Sequence, residues 1–172
     1  AVQEASKALF LGQREGQIHA QAYAARDLAI ALSWAGDLDG GEQWAIQALE
    51  MSRRITINMN VDTEIRSEAV KVLGDVAMRR GQFTKALGHY EAALGTFPFL
   101  GGGARKDLAR LNIASAQARL KQPQARTTFT DLSEAGDPLV RMSALRGLAL
   151  VQMDTGEVGP AAATAARLQA VA

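Results

Sequence analysis

The chain has 172 residues and no cysteine, so disulfides and thiolate metal sites are excluded, while its length suits one domain burying roughly 70% of its unfolded surface. With 19 basic residues against 18 acidic ones, a formal net charge of +1 and no polybasic arm, it lacks a nucleic-acid footprint. No apolar run is long enough to span a bilayer, and no basic segment followed by an apolar run opens the chain, so a soluble segment, cytoplasmic or periplasmic, is expected.

In chain order, residues 1–14, AVQEASKALFLGQR, predict a lone orphan or capping helix. Residues 17–60 predict a helical hairpin carrying Leu28, Ala29, Gly36, Leu38, Ala45, Ala48 and Leu49. Asp39 with Glu42 fits a capping box at the start of its second helix. From Ile55 to Val61 apolar residues alternate, which predicts either a longer second helix or an ordered extended loop. A strand is the weaker alternative, because a solitary strand is unstable.

Residues 62–98 hold the clearest hairpin, in which LGDVAMRRGQFTKALGHYEAALGTFP, Leu73 to Pro98, is two amphipathic helices meeting at Gly81. Phe97, Phe99 and Leu100 then predict an apolar corner covering a junction. Gly101 to Lys106, GGGARK, reads as a flexible joint; glycine nests before helices attract anions, but the Walker spacing, its hydroxyl and a preceding strand are all missing.

Residues 104–133 predict a degenerate hairpin. Leu108, Asn112, Ile113, Ala114 and Leu120 supply its first helix, Ala125, Phe129 and Leu132 its second, and LKQPQA replaces the turn glycine. Residues 138–171 predict the last hairpin, with Leu148, Ala149, Gly156, Val158, Ala161, Ala165 and Leu168. Asp137 caps it and Pro138 sits in its first turn. Gly36, Gly81 and Gly156 stand where helices end, because a residue without Cβ reaches left-handed φ/ψ at no steric cost.

Leu73, Gly74, Gly81, Phe83, Ala86, Tyr90, Ala93, Leu94 and Pro98 stand where tetratricopeptide repeats (TPRs) place their large, small and helix-ending residues. The segment therefore resembles a TPR. Gly81 lies 45 residues after Gly36 and Gly156 lies 75 after Gly81, against a TPR period of about 34, so the first interval is stretched. The resemblance implies an all-α fold: a right-handed α-α superhelix, or solenoid, of about four TPR-like helix-turn-helix units plus the orphan helix, in a single TPR-like domain over 1–172. The unpartnered first helix and the apolar end AAATAARLQAVA predict a piece of a longer array or protein, since solenoid ends need a polar outer face. The alanine-rich composition is compatible with a bacterial source.

The resemblance further implies that first helices line a concave wall that holds an extended peptide or a partner's helix. On each first helix, positions spaced 0, 4, 7 and 8 share a face. They give Arg26, Ile30, Ser33 and Trp34; Lys71, Asp75, Met78 and Arg79; Leu111, Ser115, Ala118 and Arg119; Arg146, Leu150, Met153 and Asp154. Five basic residues stand there against two acidic ones, so the expected groove is mildly basic and suits an acidic or amphipathic peptide. The competing reading is that Lys71, Asp75 and Arg79 form an i,i+4 ladder that only solubilises the helix. Trp34 either anchors a ligand or packs on the orphan helix, and Trp44 is expected in the packing. Some TPR domains grip chaperone tails with Lys and Asn at set inner positions; Ile30, Val72 and Leu108 stand in the corresponding places, so that clamp is missing.

His19 and His89 have no ligand spacing and no serine sits in a nucleophile elbow, so neither metal, cofactor nor enzymatic activity is expected. The expected function is a protein–protein interaction scaffold with a protein or peptide partner. A structural or oligomerising spacer of a membrane-associated or secretion assembly, with self-association, and the sensory module of a bacterial regulator are the alternatives.

Overall fold

The computed structural model describes residues 1–55, 59–95 and 103–171, with backbone alone at 59–61. Among the described residues there are nine helices and no strand: α1 (Val2–Arg14), α2 (Ile18–Ala35), α3 (Leu38–Ser52), α4 (Met59–Arg79), α5 (Phe83–Gly95), α6 (Gly103–Arg119), α7 (Gln124–Leu132), α8 (Pro138–Asp154) and α9 (Val158–Val171). They gather into two compact units, α1–α5 and α6–α9.

In the first unit α2 pairs with α3, α4 pairs with α5, α4 lies against both α2 and α3, and α1 lies against α2. Gly16, Gly36 and Gly81 follow α1, α2 and α4 at φ of 67°, 97° and 73°, each in the left-handed region where a side chain would be strained. The turns they make are short enough to fold each helix back along its predecessor. Small residues then let the backbones close in. A Cβ on Gly41 would lie 3.2 Å from the Ser33 backbone, and one on Gly74 would lie 2.5 Å from the Tyr90 ring.

The apolar contents form three neighbouring clusters. One holds Ala22, Ala25, Ala48, Ile55, Ile65 and Ala69; another Ala5, Leu9, Ala24 and Leu28; the third Ala29, Ala45, Val72 and Val76. Trp44 packs against all three, as a core residue should. Asp37, not Asp39, caps α3: its carboxylate accepts the Gly40 N–H at 2.9 Å. The expected capping box fails because the helix begins two residues earlier than that pattern requires, and Asp39 and Glu42 turn instead to Arg80. Of the stretch 55–61, Ile55 is buried and follows the end of α3 at Ser52, 56–58 lie outside the described residues, and 59–61 open α4.

In the second unit α6 pairs with α7, α8 with α9, and α8 also contacts α6 and α7. Its core is Leu111, Ala114, Ala125, Phe129, Leu132, Val140, Ala144 and Leu148. Lys121 takes the place of the missing turn glycine at φ 56°. Holding a side chain there costs about 1–2 kcal/mol. Gly147 lets α8 approach the Phe129 ring, where a Cβ would come within 2.5 Å. Asp137 caps α8 as expected, accepting from the N–H groups of Leu139 and Val140 at 2.9 and 3.1 Å, with Pro138 in the first turn. Between α8 and α9 the buried Thr164 hydroxyl donates to the buried Gln152 amide oxygen at 2.8 Å. The only fully packed residues of α9 are Ala161 and Thr164, and Val158, standing at the Phe83 position, is 64% exposed.

Candidate partner-binding faces

In the first unit, helices α2 and α4 lie side by side and bring together two of the expected quartets. Most of their charges are already engaged. Arg26 donates to Asp27 at 2.7 and 2.9 Å, lies 3.9 Å from Glu64 and stacks on the Tyr23 ring 4.7 Å from its centroid. Lys71 and Asp75 pair at 2.8 Å, the intrahelical ladder, and Asp75 also accepts the Tyr90 hydroxyl at 2.8 Å. Burial, followed by the Asp75 charge, holds that phenol well above its ordinary range, so it stays a neutral donor. Arg79 donates across the helix pair to the Ser33 carbonyl. Ser33 itself is buried, Ile30 packs on the third cluster, and Met78 is half-buried. Trp34 stands apart at 82% exposure.

Between α3 and the α4–α5 turn Arg80 bridges Asp39 and Glu42, while Lys85 of α5 reaches Glu42 at 3.2 Å. The hydrogen bond from Arg80 holds the Glu42 carboxyl below its ordinary value. His89 is half-buried in α5. Desolvation, then the Lys85 charge, pushes its pKa down, and its Nε2 is buried with no partner among the described residues.

In the second unit, α6 and α8 are again neighbours. Leu111 and Ala118, placed by spacing on the recognition face, pack in or against the core instead, because α6 turns its larger side chain toward Phe129 and Val140. The Ser115 hydroxyl donates to the Leu111 carbonyl of its own helix at 2.8 Å, and Arg119 is exposed. Helix α8 presents the clearest face. Arg146, Leu150, Met153 and Asp154 are all exposed, with Leu150 at 58% and Met153 at 56%. Leu139, which the spacing rule missed, is 71% exposed and lies on the same stripe, two turns before Arg146. Its signal was Pro138: a helix starting there adds that extra turn to the face. The expected apolar corner at Phe97, Phe99 and Leu100, the helix-ending Pro98, and Gly101 and Gly102 of the joint lie outside the described residues.

Among the described residues no three His, Asp or Glu side chains gather as a metal set, and no helix is long and apolar enough to cross a membrane.

No protein-family model matches the chain, and no curated protein matches it. Solved structures do. Two crystal structures of a kinesin light chain-like protein of Podosopora anserina with nearly identical TPR-like repeats superpose with TM-scores of 0.73 and 0.71 at 14% and 13% identity, each covering 99% of this chain and 84% of theirs. BtubC (BKLC) from P. vanneervenii superposes with a TM-score of 0.58 at 15% identity, over 99% of this chain and 89% of its own. The fold is therefore that of TPR-like helical repeats.

Proposed function

We propose that this array of TPR-like hairpins is a protein-interaction scaffold, which grips a peptide or helix of a partner on the exposed faces of its first helices. One observation carries the reading: Leu139, Leu150 and Met153, large apolar side chains with no structural need to be wet, share one stripe of α8 with Arg146. Apolar anchors around an arginine fork suit an amphipathic segment that carries a carboxylate, and Met adapts to the shape it meets. Arg119 and Ser115 on α6, and Trp34 with Arg26, Ile30, Lys71, Asp75, Met78 and Arg79 on α2 and α4, belong to the same proposal. The pairing of Arg26, Lys71 and Arg79 makes the first unit's face less basic than its composition suggests.

The test is capture of partners from the native extract by the chain and by its Leu150→Glu/Met153→Glu variant. Loss of the retained partners, about tenfold or more for a hot-spot pair, with unchanged helicity, is expected. Equal capture would remove the α8 face from the reading.

A second reading, the oligomerising spacer, draws on α9, where Ala162, Ala163, Ala165, Ala166 and Ala170 are exposed. A face of small residues suits close helix stacking between copies. Sedimentation over a wide concentration range separates the two readings, since a chain that stays monomeric at high concentration does not stack.

A further inference from the structure

The two units close the ends of their hairpins differently. In the first, Arg79, two residues before the left-handed Gly81, donates to the carbonyl of Ser33, three residues before the left-handed Gly36, and so bridges α4 to α2. That carbonyl also accepts the Gly36 N–H at 3.1 Å. The second unit repeats the turn geometry, with Lys121 in the left-handed place, its N–H donating to the Ala118 carbonyl at 3.0 Å, and Gly156 following α8. The place of Arg79, two residues before Gly156, holds Asp154. A carboxylate cannot donate to a carbonyl, so here the bridge is not made.

Ala118 and Asp154 instead line a pocket of about 540 Å³, with Lys121 and Pro123 on the first side and Val151 on the second. Both walls come from consecutive hairpins of one unit, as both flanks of Arg79 do. The charges around it are not equivalent. Arg126 is engaged with Glu157 in two bonds, at 2.5 and 2.6 Å. Asp154 pairs with nothing among the described residues, and as the last residue of α8 it adds to the partial negative charge of the helix end. Lys121 is exposed, and its long flexible stem lets the ammonium turn to water.

We propose that this pocket receives the side chain of an arginine carried by the partner segment, whose guanidinium supplies from outside the bridge that Arg79 supplies from within. It donates to the Asp154 carboxylate and the Ala118 carbonyl together, and its methylene stem lies over Val151 and Pro123. A planar fork of donors serves a carboxylate and a carbonyl at once; the compact ammonium of a lysine does so less well. The inference rests on the scaffold reading and adds a basic anchor to it. Leu150 stands one turn before Asp154 on the same face of α8, so a segment seated on the apolar stripe reaches the pocket.

The probes are capped single residues, the N-acetyl amides of arginine, citrulline and glutamate, titrated into the full chain and followed by its backbone amide shifts in NMR spectra. The arginine probe is expected to bind with a Kd of about 1 mM, the scale for a ligand of its size, and to move the amides of Lys121 and Thr155 while those of α2–α4 stay in place. Citrulline keeps the shape without the charge and should bind about fivefold or more weakly; glutamate should leave both amides unmoved. Asp154→Asn should erase the difference between arginine and citrulline. Asp154→Arg should plug the pocket with the chain's own guanidinium and abolish binding with helicity unchanged. The proposal is overturned if the arginine probe moves neither amide at tenfold the expected Kd, if citrulline or glutamate binds as well, or if Asp154→Asn keeps the preference. Partner capture separates it from the reading it rests on. Partners lost by Leu150→Glu/Met153→Glu but kept by Asp154→Arg would overturn the arginine anchor and leave the scaffold, whereas arginine binding beside capture indifferent to Leu150→Glu/Met153→Glu would support the pocket and remove the stripe.

Discussion

At single positions the architecture rests on absences of atoms. Gly74 has no Cβ because the Tyr90 ring occupies that space, and Tyr90 is held there by its hydroxyl bond to Asp75. Gly74→Ala should therefore cost about 1–3 kcal/mol by overpacking, read as a lower urea midpoint with unchanged m value. Tyr90→Phe should leave that penalty in place, since the ring remains. His89 makes a different prediction. Its folded pKa lies below the ordinary 6.5, so the unfolded chain takes up the proton first, and the stability present above that pH is lost as pH falls through the folded value. Glu42, also depressed, acts with the same sign but only below its ordinary 4.5. The melting temperature should accordingly start to fall below about pH 6.5. In a His89→Leu variant the decline should begin only in the carboxylate range. An unchanged profile in that variant would place the acid-sensitive group elsewhere.

At the scale of helices, the pattern of large and small residues pointed to an all-helical repeat fold, because the positions that must be small or apolar are the ones that touch. What escaped was governed by local geometry that spacing does not encode. Lys121 turns left-handed without glycine, Leu111 faces Phe129 although spacing put it on the recognition side, and Asp37 took the cap that a capping-box pattern assigned to Asp39. The last of these can be checked directly. Asp37→Ala should cost about 1 kcal/mol through the orphaned Gly40 N–H, whereas Asp39→Ala, which loses one exposed ion pair with Arg80, should cost no more than about 0.5 kcal/mol in thermal unfolding. On the recognition faces, composition revealed which residues were present but not which were spoken for: Arg26, Lys71 and Arg79 have partners inside the fold, while Leu139 was missed because the spacing was started at Arg146, two turns after the helix opens.

Within each unit, stability follows the rule for repeats, in which a hairpin leans on its neighbour. The second unit depends on Phe129, 3% exposed at the centre of its cluster. Phe129→Ala should remove about 3–5 kcal/mol there, so amide exchange in α6–α9 should accelerate by orders of magnitude while α2–α4 keep their protection. Uniform loss of protection along the chain would mean that the units unfold together.

The amide of Gln152 and the hydroxyl of Thr164 fix how α9 sits along α8. A helix as rich in alanine as α9 offers almost the same surface after a shift by one residue, and apolar contact alone would barely distinguish the two registers. A sliding α9 would strand a dehydrated amide and a dehydrated hydroxyl at once, a penalty of about 1–3 kcal/mol for each. That pair acts as a pawl on an otherwise smooth rod, and Thr164→Ala would free it to ratchet.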